Sequence, residues 1–337
     1  MNSLGRLFRV SIFGESHGPS IGALVDGCPA GLALEEADFA ADLARRRSGA
    51  RGTTPRRERD LPRLLSGVFQ GRTTGAPLLV AFNNEDTDSS SYREVVHRPR
   101  PGHADLVAHQ KHGGFADWRG SGHFSGRLTV ALVAAGVIAK KTMPKVRISA
   151  RVIEAGGQGD VEKALAEAER AQDSIGGVVE CQVEGLPAGL GEPFFDSAES
   201  LLAHAAFSIP AVKAVEFGAG HGVARMRGSE YADAILNARG RTATHHAGGI
   251  NGGLTNGNRL VVRVAVRPPS SSASELSTVD LRSGKRVRMV PKGRHDRCVA
   301  LRVPVVLEAA VAMVLADLMV LEQRTPRVPR GRRGSKR

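Results

Sequence analysis

Leu7-Phe8-Arg9-Val10-Ser11-Ile12-Phe13, running into Gly14-Glu15-Ser16-His17-Gly18, is the stretch from which the fold is read, with the apolar segment Ile21 to Val25 close behind it. Short apolar runs bounded by Gly, Pro and Asp favour strands, so Leu7 to Phe13 and Ala23 to Asp26 are predicted to be two strands joined through the polar turn. The turn sets a carboxylate, a hydroxyl and an imidazole between glycines, which let the backbone bend tightly and approach a ligand closely. In extended backbone the side chains of Ser16 and His17 point opposite ways, so this pair alone defines no chemistry.

Further along, Leu34 to Arg47 carries apolar residues at helical spacing, acids at its start and Arg45-Arg46-Arg47 at its end, the charge order a helix macrodipole favours. Leu64 to Phe69, Pro77 to Phe82, Val146 to Glu154, Gly176 to Val183, Val212 to Phe217, Leu260 to Val266 and Val287 to Val290 are predicted strands. Arg127 to Lys141 is a predicted helix apolar enough to be buried around most of its circumference, and Val303 to Glu322 is the last predicted helix. Val161 to Gln172 reads as an exposed helix and Ser197 to Phe207 as a further one, while 98 to 122 reads as a long functional loop. The expected class is α+β: one catalytic domain over 1–323 with long functional loops, and a basic disordered tail over 324–337.

The net charge of +13 includes seven basic residues in that tail, leaving +6 for the remainder. A second arginine cluster, Arg45 to Arg47 with Arg51, Arg56, Arg57 and Arg59, suits nucleic acid or a polyanionic small molecule. With two tyrosines and one tryptophan for base stacking and no recognition motif, a nucleic-acid-binding protein is the weaker of these readings. Three distant cysteines without C-x-x-C spacing give neither a disulfide framework nor a zinc site. The first twenty residues lack the apolar core of a signal peptide, and Glu308 and Asp317 interrupt the most apolar late segment. The expectation is a cytoplasmic protein without a membrane span.

Polar loops at 14 to 18, 45 to 57, 98 to 127, 245 to 258, 267 to 272 and 293 to 298 compete for a common site. Residues 14 to 18 read G-E-S-H-G, not the G-x-S-x-G of a serine hydrolase elbow. His103, His109 and His112 are spaced by six and three, unlike the i, i+4 pair of a helical zinc motif, so no metal is expected. A G-x-x-x-x-G-K-[ST] phosphate loop is absent. Arginines pair with phosphate and carboxylate through two parallel hydrogen bonds, and a protonated histidine can hand a leaving phosphate its proton. The residues therefore suit elimination of phosphate from an anionic substrate.

Several stretches, in order, resemble the chorismate synthase family: Phe8-Arg9-Val10 through Gly18, Arg45-Arg46-Arg47 to Thr54, Arg98-Pro99-Arg100-Pro101-Gly102-His103-Ala104-Asp105, Asn251-Gly252-Gly253-Leu254-Thr255-Asn256-Gly257 and Gly293-Arg294-His295-Asp296. The resemblance spans Gly5 to Glu322. It implies a β-α-β sandwich with helices between antiparallel sheets, assembled as a homotetramer. It also implies a lyase that removes phosphate by 1,4-elimination from 5-enolpyruvylshikimate 3-phosphate to give chorismate, with reduced FMN required although no net oxidation occurs. Either NADPH at the enzyme or an external flavin reductase would keep the flavin reduced.

Carried over by position, His17 resembles the acid near the leaving phosphate, with Ser16 beside it. His103 resembles the histidine that protonates reduced flavin, and Asp296 the carboxylate near flavin N5. Arg46, Arg51, Arg100 and Arg127 match substrate-cavity arginines. The flavin contacts fall on His123, Phe124, Ser125, Pro210, Ala211, Gly252, Arg267, Pro268, Pro269, Ser270, Ser271 and Arg294. Three places depart from the common pattern. Ser121-Gly122-His123-Phe124-Ser125-Gly126-Arg127-Leu128-Thr129 replaces G-G-R-S-S-A-R-E-T and loses one arginine, Arg267-Pro268-Pro269-Ser270-Ser271 replaces K-P-T-S-S, and Pro210 stands where Asn is common.

Overall fold

The computed structural model describes residues 2–49, 51–54, 56, 58–270, 274–291 and 296–326. Its first sheet is built from β1 (Ser3–Leu4), β2 (Arg9–Gly14), β3 (Ser20–Asp26), β4 (Arg63–Ser66) and β7 (Leu78–Asn83), with β5 (Val68–Phe69) and β6 (Arg72–Thr73) forming a separate small hairpin. All pairings are antiparallel and the order is β1-β2-β3-β7-β4. As the two short apolar runs around the polar turn predict, β2 and β3 pair directly, from Arg9 opposite Asp26 to Gly14 opposite Ile21. Residues 15 to 19 are thereby held at the open end of that pair.

Between the sheets run α1 (Ala40–Arg46), entered through a 3-10 turn at Glu36–Phe39, and α3 (Thr129–Thr142). A shorter helix, α2 (Asp105–Lys111), lies inside the segment read from sequence as loop. Its only interior apolar residues are Leu106, Val107 and Ala108, too few for a periodic signal, yet Asp105 at its start and Lys111 at its end suit the helix dipole.

The second sheet takes β8 (Arg147–Ala155), then follow α4 (Val161–Arg170), β9 (Gly177–Glu184), α5 (Ala198–Phe207), β10 (Val212–Phe217), the single turn α6 (Gly228–Tyr231), the hairpin β11 (Ile250–Asn251) and β12 (Leu254–Thr255), and β13 (Leu260–Val266). Its order is β10-β13-β9-β8, again antiparallel. A hairpin of β14 (Leu276–Val279) and β15 (Arg286–Met289) precedes the long helix α7 (Val303–Leu321). α4 is not exposed all round: Ala164, Leu165 and Ala168 are buried on the side that meets β8.

α3 packs on the first sheet, α7 on β8 and β9, and the two helices pack on each other. Each helix is thus covered on opposite sides, which is why both sequences are apolar around the whole circumference. Gly136 makes the approach possible, because a Cβ there would lie 2.3 Å from the Cβ of Ala309. One continuous cluster of buried side chains includes Val25, Leu78, Ile138, Val179, Leu260 and Leu315, joining both sheets and both helices in a β-α-β sandwich. Burying each such Leu or Ile contributes about 1.5–3 kcal/mol.

α7 has the length and hydropathy of a membrane span, but 83% of its most apolar stretch is buried within the fold and its two acids are engaged there. Glu308 accepts from Arg45 at 2.8 and 2.7 Å, from Lys140 at 2.9 Å and from the Ala150 amide at 2.8 Å. Burial pushes this carboxyl up, and the hydrogen bonds and charges of Arg45 and Lys140 outweigh it, so its pKa lies below the usual glutamate value. Asp317 accepts the amides of Arg6, Leu7 and Phe8 at 2.9, 2.7 and 2.8 Å, anchoring the entry to β2. The 324–337 tail predicted from sequence lies outside the described residues from 327 onward; Arg324 to Pro326 continue directly from α7, with the Arg324 amide on the Met319 carbonyl at 2.8 Å.

Candidate active site

The β2–β3 turn is fixed from two sides. Asn84, just past β7, donates to the carbonyls of Glu15 and Gly18 at 3.0 and 2.7 Å, and the Ser16 amide donates to the Gly122 carbonyl at 3.0 Å. The same Asn84 accepts from Arg127 Nε at 3.1 Å, which ties the turn to the residues leading into α3. A cavity of ≈ 370 Å³ opens beside this junction. Among the described residues its wall carries seven arginines and four carboxylates, an excess of positive charge suited to an anionic ligand.

His17 stands on the wall with Nδ1 2.7 Å from Ser89 Oγ and its ring edge-on to Tyr92 at 5.6 Å. Gly120 presses against it: its φ is +56°, and a Cβ there would lie 2.4 Å from His17 Cδ2. Ser16 is fully buried behind His17, accepting from Arg56 Nη1 at 2.9 Å, and Arg56 in turn pairs with Glu58 at 2.7 Å. His103, also on the wall, has Nδ1 2.6 Å from Asp105, while Arg100 binds the same carboxylate through Nε at 2.8 Å and lies over the same Tyr92 ring at 5.8 Å.

Arg46 and Arg127 converge on Asp60, Arg46 at 2.5 Å and Arg127 on the other carboxylate oxygen, with all three side chains almost completely buried. Burial drives the Arg46 guanidinium down to about 10; Asp60 opposes that shift, while the neighbouring charges of Arg302 and Arg127 add to it. For Asp60, burial is outweighed by the two arginines, and its carboxyl stays below the usual range. Arg46 Nε and Nη1 and Arg127 Nη2 are buried without a hydrogen-bond partner among the described residues. Unsatisfied buried donors are costly, and an anion in the cavity would satisfy them.

Asp296 also reaches the wall, accepting from the Thr54 amide at 2.8 Å and from Arg302 at 3.4 Å. Phe124, Ser125, Pro210, Ala211, Arg267, Pro269 and Ser270 complete the far side. Arg267 Nη1 donates to Ser270 Oγ at 2.6 Å, and Ser270 donates to the Gly102 carbonyl at 2.7 Å, joining that side to the His103 loop.

Not every residue singled out from the sequence meets the cavity. Arg51 turns outward, half exposed, and pairs with Glu169 at 2.8 Å on α4. His123 is drawn away by the Gly14 carbonyl at 2.8 Å and Asn2 at 3.1 Å. Pro268 offers its carbonyl to Arg267 at 2.7 Å, off the wall, and Gly252 sits at the β11–β12 turn, away from it. Ser271 and Arg294 lie outside the described residues, as do Gly293 and His295. Arg47, Arg56, Asp60, Tyr92, Ser121 and Arg302 belong to the wall without having been singled out as site residues. Of these, Arg47 and Arg56 had a sequence signal, their place in the arginine cluster; an acid such as Asp60 within that cluster reads from sequence as a solvated counter-charge.

Residues 8–320 match the family model described as chorismate synthase. A chorismate synthase of Chitinophaga pinensis is 60% identical over 329 residues, covering 97% of this chain and 99% of the relative. One from Aeropyrum pernix is 46% identical, covering 96% and 93%. A crystal structure of a chorismate synthase superposes with a TM-score of 0.73 at 27% identity, over 94% of this chain and 93% of that one.

Proposed function

The chain belongs to the chorismate synthase family and is a lyase of the shikimate pathway acting on a small molecule, and from that premise we propose that its arginine-lined cavity carries out the 1,4-elimination of phosphate from 5-enolpyruvylshikimate 3-phosphate with reduced FMN bound. The observation that carries this reading is the pair Arg46 and Arg127, buried on the cavity with guanidinium N–H groups that have no acceptor among the described residues. A substrate with a phosphate and two carboxylates supplies such acceptors, and arginine forks match their planar geometry. Arg56 and Arg100 add charge on either side.

The far side fits a flavin: Phe124, Pro210, Ala211 and Pro269 offer apolar surface next to the donors Ser125 and Arg267. Reduced FMN, when bound, supplies electron density that helps expel phosphate and a ring nitrogen that can take the proton lost from carbon. His17 donates a proton to the leaving phosphate oxygen, its other nitrogen held by Ser89. Ser16 keeps Arg56 beside that histidine. His103 and Asp296 hold protons on the flavin side, and the buried arginines keep the developing phosphate charge paired. In this reading residues 1–323 are one catalytic unit, working in the cytoplasm as a homotetramer. Arg51, His123, Pro268 and Gly252 do not line this cavity.

Anaerobic mixing of the protein with the enolpyruvyl substrate and chemically reduced FMN tests the reading. Phosphate and chorismate are expected in equal amounts. Absence of both from a folded preparation that binds FMN rejects it.

A further inference from the structure

His103 and Arg100 reach the cavity from one short loop, and a single carboxylate holds both. Asp105, the first residue of α2, has a side chain only 9% exposed. It accepts from the Arg100 amide at 3.0 Å, from Arg100 Nε and Nη2 at 2.8 and 2.9 Å, and lies 2.6 Å from His103 Nδ1. Burial pushes the Asp105 carboxyl up, but the hydrogen bonds of Arg100 and His103 prevail and hold it well below the usual aspartate range. An ionised carboxylate only accepts, so His103 Nδ1 must be the donor in this contact. Arg100 Nη2 faces both ring nitrogens, 3.2 Å from Nδ1 and 3.4 Å from Nε2; with the Nδ1 proton given to Asp105, Nε2 is the nitrogen that can accept, and the one whose proton can come and go.

We infer that Asp105 is a positioning residue: by accepting from Nδ1 it fixes the tautomer and orientation of His103 and leaves Nε2 as the proton-transferring nitrogen. The inference rests on His103 transferring a proton in the proposed reaction. The same carboxylate sets the Arg100 guanidinium, so the spacing between a substrate-binding charge and a proton-transferring ring is governed from one point. Carboxylates behind histidines act in this way because the hydrogen bond selects one tautomer and stops rotation about the ring axis.

Two measurements test it. In the unmodified, flavin-free chain labelled with ¹⁵N-histidine, the ring signals that disappear in His103→Ala are those of His103. They are expected to report a protonated Nδ1; an unprotonated Nδ1 would overturn the inference without reference to any variant of Asp105. The second is a double-mutant cycle on kcat. Asp105→Asn, nearly identical in shape, is expected to slow turnover about tenfold or more in the wild-type background and less than about threefold in the His103→Ala background, as for groups that act as a unit. Equal factors in both backgrounds, or wild-type kcat for Asp105→Asn, would overturn it. If the unmodified chain releases no phosphate from the enolpyruvyl substrate, the proposed reaction fails, whereas the ring-nitrogen measurement still decides the Asp105–His103 contact.

Discussion

Arg46 donates to Asp60 at 2.5 Å with neither side chain reaching solvent. Asp60 also binds Arg127, and its own backbone holds a φ of +51°, in a region L-residues seldom occupy. The acid is therefore kept in a costly conformation at the point where two cavity-lining arginines meet, and it offsets the repulsion between their like charges. Removing that charge leaves the buried Arg46 guanidinium without its carboxylate partner and Arg127 with only Glu58, 3.8 Å away. Asp60→Asn, which keeps the shape and tolerates the same backbone region, is expected to destabilise the fold by about 3 kcal/mol or more. Urea unfolding of the two proteins checks it, and a change below about 1 kcal/mol would mean the pair is solvated.

Acid should destabilise the protein, in part through three carboxyl groups held in buried ion pairs. Asp60, Asp105 and Glu308 all have folded-state pKa values below their unfolded ones. Their contribution is complete above the unfolded values, near pH 4, and is lost as pH falls through the folded ones. Denaturation midpoints are expected to be insensitive to these groups above about pH 5 and to fall below about pH 4. Charge-removing substitutions at Asp60 or Glu308 should flatten the acid limb; an unchanged limb in both would contradict the assignment.

Gly120 is expected to be intolerant for a reason local to the site. Alanine there combines a φ of +56° with a Cβ 2.4 Å from His17 Cδ2 and 2.8 Å from Ser16 Oγ. Left-handed backbone costs an L-residue about 1–2 kcal/mol, and the clash moves the imidazole. Gly120→Ala should lower kcat by more than about tenfold while the protein stays folded, because small displacements of a reacting group are amplified in rate. Steady-state kinetics with thermal unfolding as a companion measurement separates the two effects.

At Gly136 the expected effect is on stability. Gly136→Ala forces a Cβ to within 2.3 Å of Ala309 between α3 and α7, and overpacking of this kind costs about 1–3 kcal/mol. Gly159→Ala, where no atom lies within 4 Å, is the control and should change stability by less than about 0.5 kcal/mol. Equal effects at the two positions would remove the packing argument.

The elements most legible in the sequence are those whose burial is uniform. α3 and α7 are apolar around their circumference because each lies between a sheet and the other helix, and β2 and β3 announce themselves by short apolar runs around a polar turn. α2 was hidden because four of its seven residues are polar and its three apolar residues are consecutive, which gives no helical period. In the site, residue type was readable but direction was not. Arg46, Arg51 and Arg56 sit five residues apart in one basic run, yet Arg46 and Arg56 turn into the cavity while Arg51 is captured by Glu169 on α4. That choice depends on an acid over a hundred residues away. Asp60 was unreadable for a related reason, since nothing local says that a carboxylate will be buried between two cations instead of solvated beside them.

The most direct test of the central claim, that phosphate elimination occurs in the cavity beside the β2–β3 turn, is single-turnover kinetics under anaerobic conditions with reduced FMN. The unmodified chain, His17→Ala and His103→Ala would be compared, following phosphate, chorismate and flavin binding together. The expected result is equal phosphate and chorismate from the unmodified chain and a slowing of roughly 10²-fold or more in each variant with flavin binding retained. Variants that turn over at the unmodified rate would contradict the claim and return both histidines to a structural role.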